Sequence, residues 1–143
     1  MRLTAIVVSL GFCALANAEV LTLGDVKARN GVQLSAADLT RLMPDAKVIH
    51  HTVAGSTRRW NNGEGKFVAS SDGMGLNMGS FRGGTGQGTW RIDDERGTYC
   101  VTIDWARTRE AWCRYIFKVS DKYYNFDKLD DNTERSGELE FSN

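Results

Sequence analysis

From Lys47 to Phe126 the chain is cut into short β-rich runs by clusters of Gly, Asn, Asp and Ser, and that punctuation restricts it to an antiparallel architecture. The runs are Lys47 to Val53, Arg58 to Trp60, Lys66 to Ser70, Gly75 to Phe81, Gly88 to Ile92, Thr98 to Trp105, Glu110 to Val119 and Lys122 to Phe126. Between them lie Asn61-Asn62-Gly63, Ser71-Asp72-Gly73, Asp93-Asp94-Glu95-Arg96-Gly97 and Ser120-Asp121-Lys122, connections too short for the crossover that parallel neighbours require.

Ahead of these runs, Ser35 caps a helix signal with Asp38 three residues on, and Leu34, Leu39, Leu42 and Met43 form its apolar stripe before Pro44 ends it. A helix of about eight residues does not persist alone, so that stripe must dock on the sheet. The expected fold class is α+β and mostly β: a short N-terminal helix packed on a curled antiparallel sheet, as a partly closed barrel or sandwich-like arrangement. At 143 residues one domain is expected. The 18 Lys+Arg against 18 Asp+Glu leave no basic footprint for nucleic acid.

Residues 1 to 18 carry Arg2, an apolar run from Leu3 to Leu15 and an Ala16-Asn17-Ala18 site, the pattern of a signal peptide cleaved after Ala18. The apolar run is shorter than the ~20 residues of a spanning helix, and no transmembrane segment is expected after cleavage. Residues 19 to 143 then form the single β-rich domain, with 127 to 143 an acidic, loosely ordered C-terminal segment. The periplasm or the exterior is the expected location.

Cleavage removes Cys13 and leaves Cys100 and Cys113, which an oxidising compartment would join. Closing a loop of that length contributes about 3 kcal/mol in the chain-entropy picture. With Cys100 facing Cys113, Asp104 faces Arg109, Thr102 faces Ala111 and Thr98 faces Tyr115, all on one face of a hairpin. The other face collects Tyr99, Val101, Ile103 and Trp105 with Trp112 and Ile116. Arg114, opposite Tyr99, and Glu110, opposite Ile103, sit awkwardly in that apolar layer. A stack on the Tyr99 ring would accommodate Arg114, and Glu110 has a place only at an open end.

The order LSAADLTRLMPD, GKFVASSDG, GQGTWRIDDERGTYCVTIDW and AWCRYIFKVSDKYYNFD resembles the small exported bacterial proteins of domain of unknown function 995. The likeness covers about Leu34 to Asp127 and rests on the G-x-W before the first cysteine, the cysteine pair and the closing aromatic strand. It implies an exported β-rich domain and supplies no catalytic residues. The Gly-rich insertion and the His50-His51 pair are departures from what the family leads one to expect.

No constellation in the sequence specifies a reaction. His50 and His51 are adjacent in a strand, so alternation sends them to opposite faces and they cannot share a metal ion. No nucleophile elbow and no free thiol paired with His is present. Asp104 and Glu110 flank one hairpin end, but Asp104 has Arg109 as a partner. Gly73, Gly75, Gly79, Gly83, Gly84, Gly86 and Gly88 match neither a dinucleotide fingerprint nor a Walker loop and read as a hairpin loop or glycine-kinked strands. Aromatic and basic residues interleave in Arg58-Arg59-Trp60, and Met74, Met78 and Phe81 punctuate the Gly-rich run. These six are the candidate ligand or partner contacts. The expectation is a monomeric, non-catalytic binding or cell-envelope module for a small molecule, glycan or protein, without catalytic residues, metal or cofactor. The alternatives are a small hydrolase using carboxylates or His and a protein inhibitor acting through the Gly-rich loop.

Overall fold

A computed structural model describes residues 20–73 and 84–143. Two short helices and nine strands follow one another among the described residues: α1 (Leu23–Ala28), β1 (Val32–Gln33), α2 (Ala36–Leu42), β2 (Lys47–Thr52), β3 (Thr57–Asn61), β4 (Lys66–Ser71), β5 (Gly84–Asp93), β6 (Thr98–Trp105), β7 (Arg109–Val119), β8 (Lys122–Phe126) and β9 (Gly137–Ser142). From β2 to β9 each strand pairs antiparallel with the next in sequence, and β9 pairs with β2. The sheet is therefore a closed eight-stranded up-and-down barrel, where the sequence had suggested partial closure. Closure satisfies the edges that an open sheet would leave exposed.

The closing strand comes from the acidic C-terminal segment. Leu139 and Phe141 alternate with Glu138 and Glu140 in β9, a period-2 pattern that seats the apolar pair against β2. The residues before it are held as well: Thr22 bridges to Glu134, and the Leu23 and Gly24 amides donate to the Thr133 and Asp131 carbonyls. The expectation of a loosely ordered segment over 127 to 143 is thus corrected. Short acidic stretches read as solvated when the strand partner lies almost ninety residues away in sequence.

The Thr98 to Val119 hairpin has the register its cysteines imply, with Cys100 opposite Cys113, Thr102 opposite Ala111 and Asp104 opposite Arg109. The two cysteines are disulfide-bonded. Tyr99, Val101, Ile103 and Trp105 are buried on the barrel's inner face. On β5 every second residue from Gly84 to Gly88 is glycine, and packing requires two of them: a Cβ on Gly88 would run into the Phe67 ring, and one on Gly86 would lie 2.8 Å from both Ile103 and Trp105. The missing side chain at Gly88 makes room for Phe67, which stacks on Trp60 with centroids 5.1 Å apart.

One end of the barrel is plugged. The helix expected at Ser35 is α2, with a capping box between Ser35 and Asp38, and it buries Leu39 and Met43 completely in the core. Asn62 fastens the helix to the barrel: its Nδ2 donates to the Met43 carbonyl at 3.0 Å, while its Oδ1 accepts from Trp60 Nε1 at 3.0 Å and from the Tyr99 hydroxyl at 2.9 Å. The second helix, α1, has the same S/T-x-x-D signature at Thr22 and Asp25, which the sequence reading passed over. It packs Leu23 and Val26 outside the barrel on Phe117, Tyr124 and Phe126.

Candidate binding site at the open end of the barrel

The opposite end has no helix across it among the described residues, and there the inward positions turn polar. His50 on β2 lies directly across from Arg58 on β3, and Glu110 and Arg114 project inward from β7 on either side of Trp112. Asn125 of β8 lies opposite Gly137 of β9, whose missing side chain leaves space for the His50 ring: a Cβ there would sit 2.6 Å from His50 Nε2. His50 is 1% exposed and Asn125 0%, whereas the side chains of Arg58 and Arg114 keep 18% and 16% of their surface.

Glu110 organises the cluster. Its Oε1 accepts from Arg58 Nη1 at 3.2 Å and Trp112 Nε1 at 3.1 Å, and its Oε2 accepts from Trp105 Nε1 at 3.2 Å. Three donors, one of them cationic, replace the water a carboxylate would otherwise keep. Arg114 stacks on Trp112 at 4.6 Å, in place of the expected stack on Tyr99, and sends Nε to Asp127 at 2.9 Å. Its partner in register is Tyr99, but the longer reach along β7 puts the guanidinium over the indole two residues away.

His50 is held neutral. Burial, then the nearby charges of Arg114 and Arg58, bring its pKa from 6.5 down to about 3. Asn125 Nδ2 lies 3.3 Å from His50 Nε2, and with the amide donating, the imidazole proton belongs on Nδ1. Three buried polar atoms here have no hydrogen-bond partner: His50 Nδ1, Arg58 Nε and Asn125 Oδ1. Buried polar atoms are almost always paired, so these three, from β2, β3 and β8, are hydrogen-bonding capacity that the cluster does not use internally.

The candidate contacts read from the sequence divide. Arg58 belongs to the cluster. Arg59, its neighbour in an alternating strand, points outward, and Trp60 is buried at the plugged end, so the three residues present no common surface. Met74, Met78 and Phe81 lie outside the described residues. Glu110, Arg114, His50 and Asn125 were not named as contacts. The signal for the first two was visible as charge on an apolar face, but only closure of the barrel brings β2, β3, β7 and β8 together.

The acid pair that a hydrolase would need is not assembled: Glu110 faces inward, while Asp104 faces outward toward Arg109 at 3.5 Å. His51 meets Glu140 at 2.7 Å, on the outer surface with both groups well exposed. No group of three or more His, Cys, Asp or Glu residues able to hold a metal occurs among the described residues. At the plugged end an open groove of about 310 Å³ runs past Leu34, Arg41, Lys118 and Tyr123, and none of the orphaned atoms belongs to it.

The fold and the cluster together define a closed antiparallel barrel, stapled by one disulfide, with a cluster of charged and polar side chains toward the end opposite α2. Residues 17–114 match the family described as Protein of unknown function (DUF995), and the chain belongs to that family. Neither a curated protein nor a solved structure matches it. The matched stretch stops at Arg114, so β8 and β9, which close the barrel and supply Asn125 and Gly137, lie beyond it.

Proposed function

We propose that the protein is an exported, monomeric, non-catalytic binding module that takes a small ligand at the open end of its barrel. The observation that carries this reading is the set of three orphaned polar atoms, His50 Nδ1, Arg58 Nε and Asn125 Oδ1, beside a partly exposed pair of arginines. Eight-stranded barrels have an interior just wide enough to be filled by side chains or to hold one small molecule. Here the plugged half is filled and the polar half carries unmet hydrogen-bonding capacity, the usual arrangement of a site with few convergent polar groups and apolar walls.

Export is supported by the Arg2 to Ala18 pattern, the Cys100–Cys113 bond, and the fact that no described helix is long and apolar enough to cross a membrane. An N-terminus at Glu19 on protein recovered from outside the cytoplasm is the expected result.

The binding reading is tested with the indole N–H signals of the four tryptophans. Trp105 and Trp112 report on the open end and Trp60 and Trp90 on the other half of the barrel. A panel of neutral and charged small metabolites should contain one that saturably moves Trp105 and Trp112 while leaving Trp60 in place. If no member of the panel moves them, the reading fails.

A further inference from the structure

We propose that Cys113 is a thiol-exchange site: the thiolate of a dithiol reductant attacks its sulfur from outside the barrel, and Cys100 leaves. The disulfide joins neighbouring strands on the outer face, and its two halves differ in access. Cys113 on β7 is exposed, whereas Cys100 on β6 keeps 6% of its surface. A thiolate attacks along the S–S axis, from the side of the struck sulfur that faces away from its partner. For Cys113 that side is the flank of β7 turned away from β6, and there β8 pairs only from Tyr115 onward. Ala111, two residues back on the same face, is small and exposed as well. For Cys100 the matching approach crosses β5, where Arg91 stands directly opposite in register. Access therefore selects Cys113 as the sulfur that is attacked.

The surroundings of Cys100 make it the leaving group. Thr98 Oγ1 lies 3.7 Å from Cys100 Sγ, and because a bonded sulfur carries no hydrogen, the hydroxyl is the donor. Arg91 stands on the same face, and its own carboxylate partner, Asp93, is as far off as 3.9 Å. A hydroxyl donor and a nearby cation stabilise a thiolate, and a more stable thiolate leaves faster. The exchange balances in two steps. The attacking thiolate bonds to Cys113 Sγ, the S–S electron pair goes to Cys100, and Cys100 takes a proton from water. The reductant's second thiol, as its thiolate, then displaces Cys113, which is protonated in turn. The dithiol is oxidised to a disulfide, and the protein gains two electrons and two protons. Trp112 and Arg114 flank Cys113 along β7, so reduction unfastens the strand beside the open-end cluster.

The test is reduction of the folded, oxidised protein by dithiothreitol, read as the appearance of free thiols. The rate should rise with dithiothreitol and stay flat across urea concentrations below the unfolding transition, because the attack needs no unfolding. Glutathione followed by a rapid alkylating quench should leave the glutathione adduct on Cys113 and the alkyl group on Cys100. Arg91→Gln, a change on the barrel's outer surface, should slow reduction by roughly threefold, since the departing thiolate loses its cation. In the fully reduced protein the Trp112 indole N–H signal should be displaced and that of Trp60 unmoved. A reduction rate that climbs with urea as global unfolding does, or a glutathione adduct on Cys100, overturns the exchange site. An unchanged rate in Arg91→Gln overturns the part given to that cation. A Trp112 signal unaltered by complete reduction overturns the link to the open end and leaves the exchange site standing.

Discussion

The two ends of this barrel are built from the same eight strands and obey opposite rules. At the plugged end Leu39 and Met43 are fully buried, and the polar groups that enter the core, Asn62, Trp60 Nε1 and the Tyr99 hydroxyl, satisfy one another. At the open end His50, Arg58, Glu110, Arg114 and Asn125 occupy inward positions where apolar residues would stabilise the fold more, and three of their polar atoms go unpaired. An end that only needs to hold together pairs its polar groups. An end that leaves them unpaired keeps the fold at a cost, which a bound molecule can offset.

The strongest way to sharpen this contrast is acid. His50 has a pKa of 6.5 when unfolded and about 3 when folded, so between those values the unfolded chain binds the extra proton and stability falls as pH drops. At roughly 1.4 kcal/mol per unit, the loss between neutral pH and the lower value amounts to several kcal/mol. Urea unfolding from pH 7 to pH 4 should show it, and His50→Gln should flatten that part of the slope. An unchanged slope would mean that His50 is not the neutral, buried ring described above.

Leu39→Ala at the plugged end should cost about 2–5 kcal/mol, as expected for a fully buried leucine, with thermal unfolding as the measure. Asn62→Leu should follow at about 1–3 kcal/mol, since it strands the Tyr99 hydroxyl and the Trp60 indole N–H without their shared acceptor. If Asn125→Leu at the open end proved equally destabilising, the two ends would not differ as argued, because one of its polar atoms is already unpaired. Smallest of all, Arg109→Ala breaks an exposed pair with Asp104 and should stay within about 0.5 kcal/mol in the same assay.

Much of the barrel was legible along the chain. The runs that became β2, β3, β4, β6, β7 and β8 are local signals, and the cysteine register followed from alternation within one hairpin. Three elements were missed, for different reasons: α1, β9 and the two-residue β1, which is too short to carry a pattern of its own. The Thr22–Asp25 box was present but brief, and β9 alternates Leu139 and Phe141 with glutamates in a stretch whose net acidity hid the period. The candidate site was legible only as a misfit, since Glu110 and Arg114 looked out of place on an apolar face. Their partners come from strands more than fifty residues earlier and more than ten residues later, distances over which a single sequence carries no pairing information.

By itself, then, the sequence determined the antiparallel meander, the capped helix, the cysteine pair and the two faces of the Thr98 to Val119 hairpin, because each depends on neighbours within a few residues. The closing of β9 on β2, the choice of which end α2 plugs, and the meeting of His50, Arg58, Glu110, Arg114 and Asn125 depended on the tertiary structure. Those outcomes depend on strand curvature and on the fit of side chains such as Phe67 against Gly88 and His50 against Gly137, contacts that exist only once the barrel has closed.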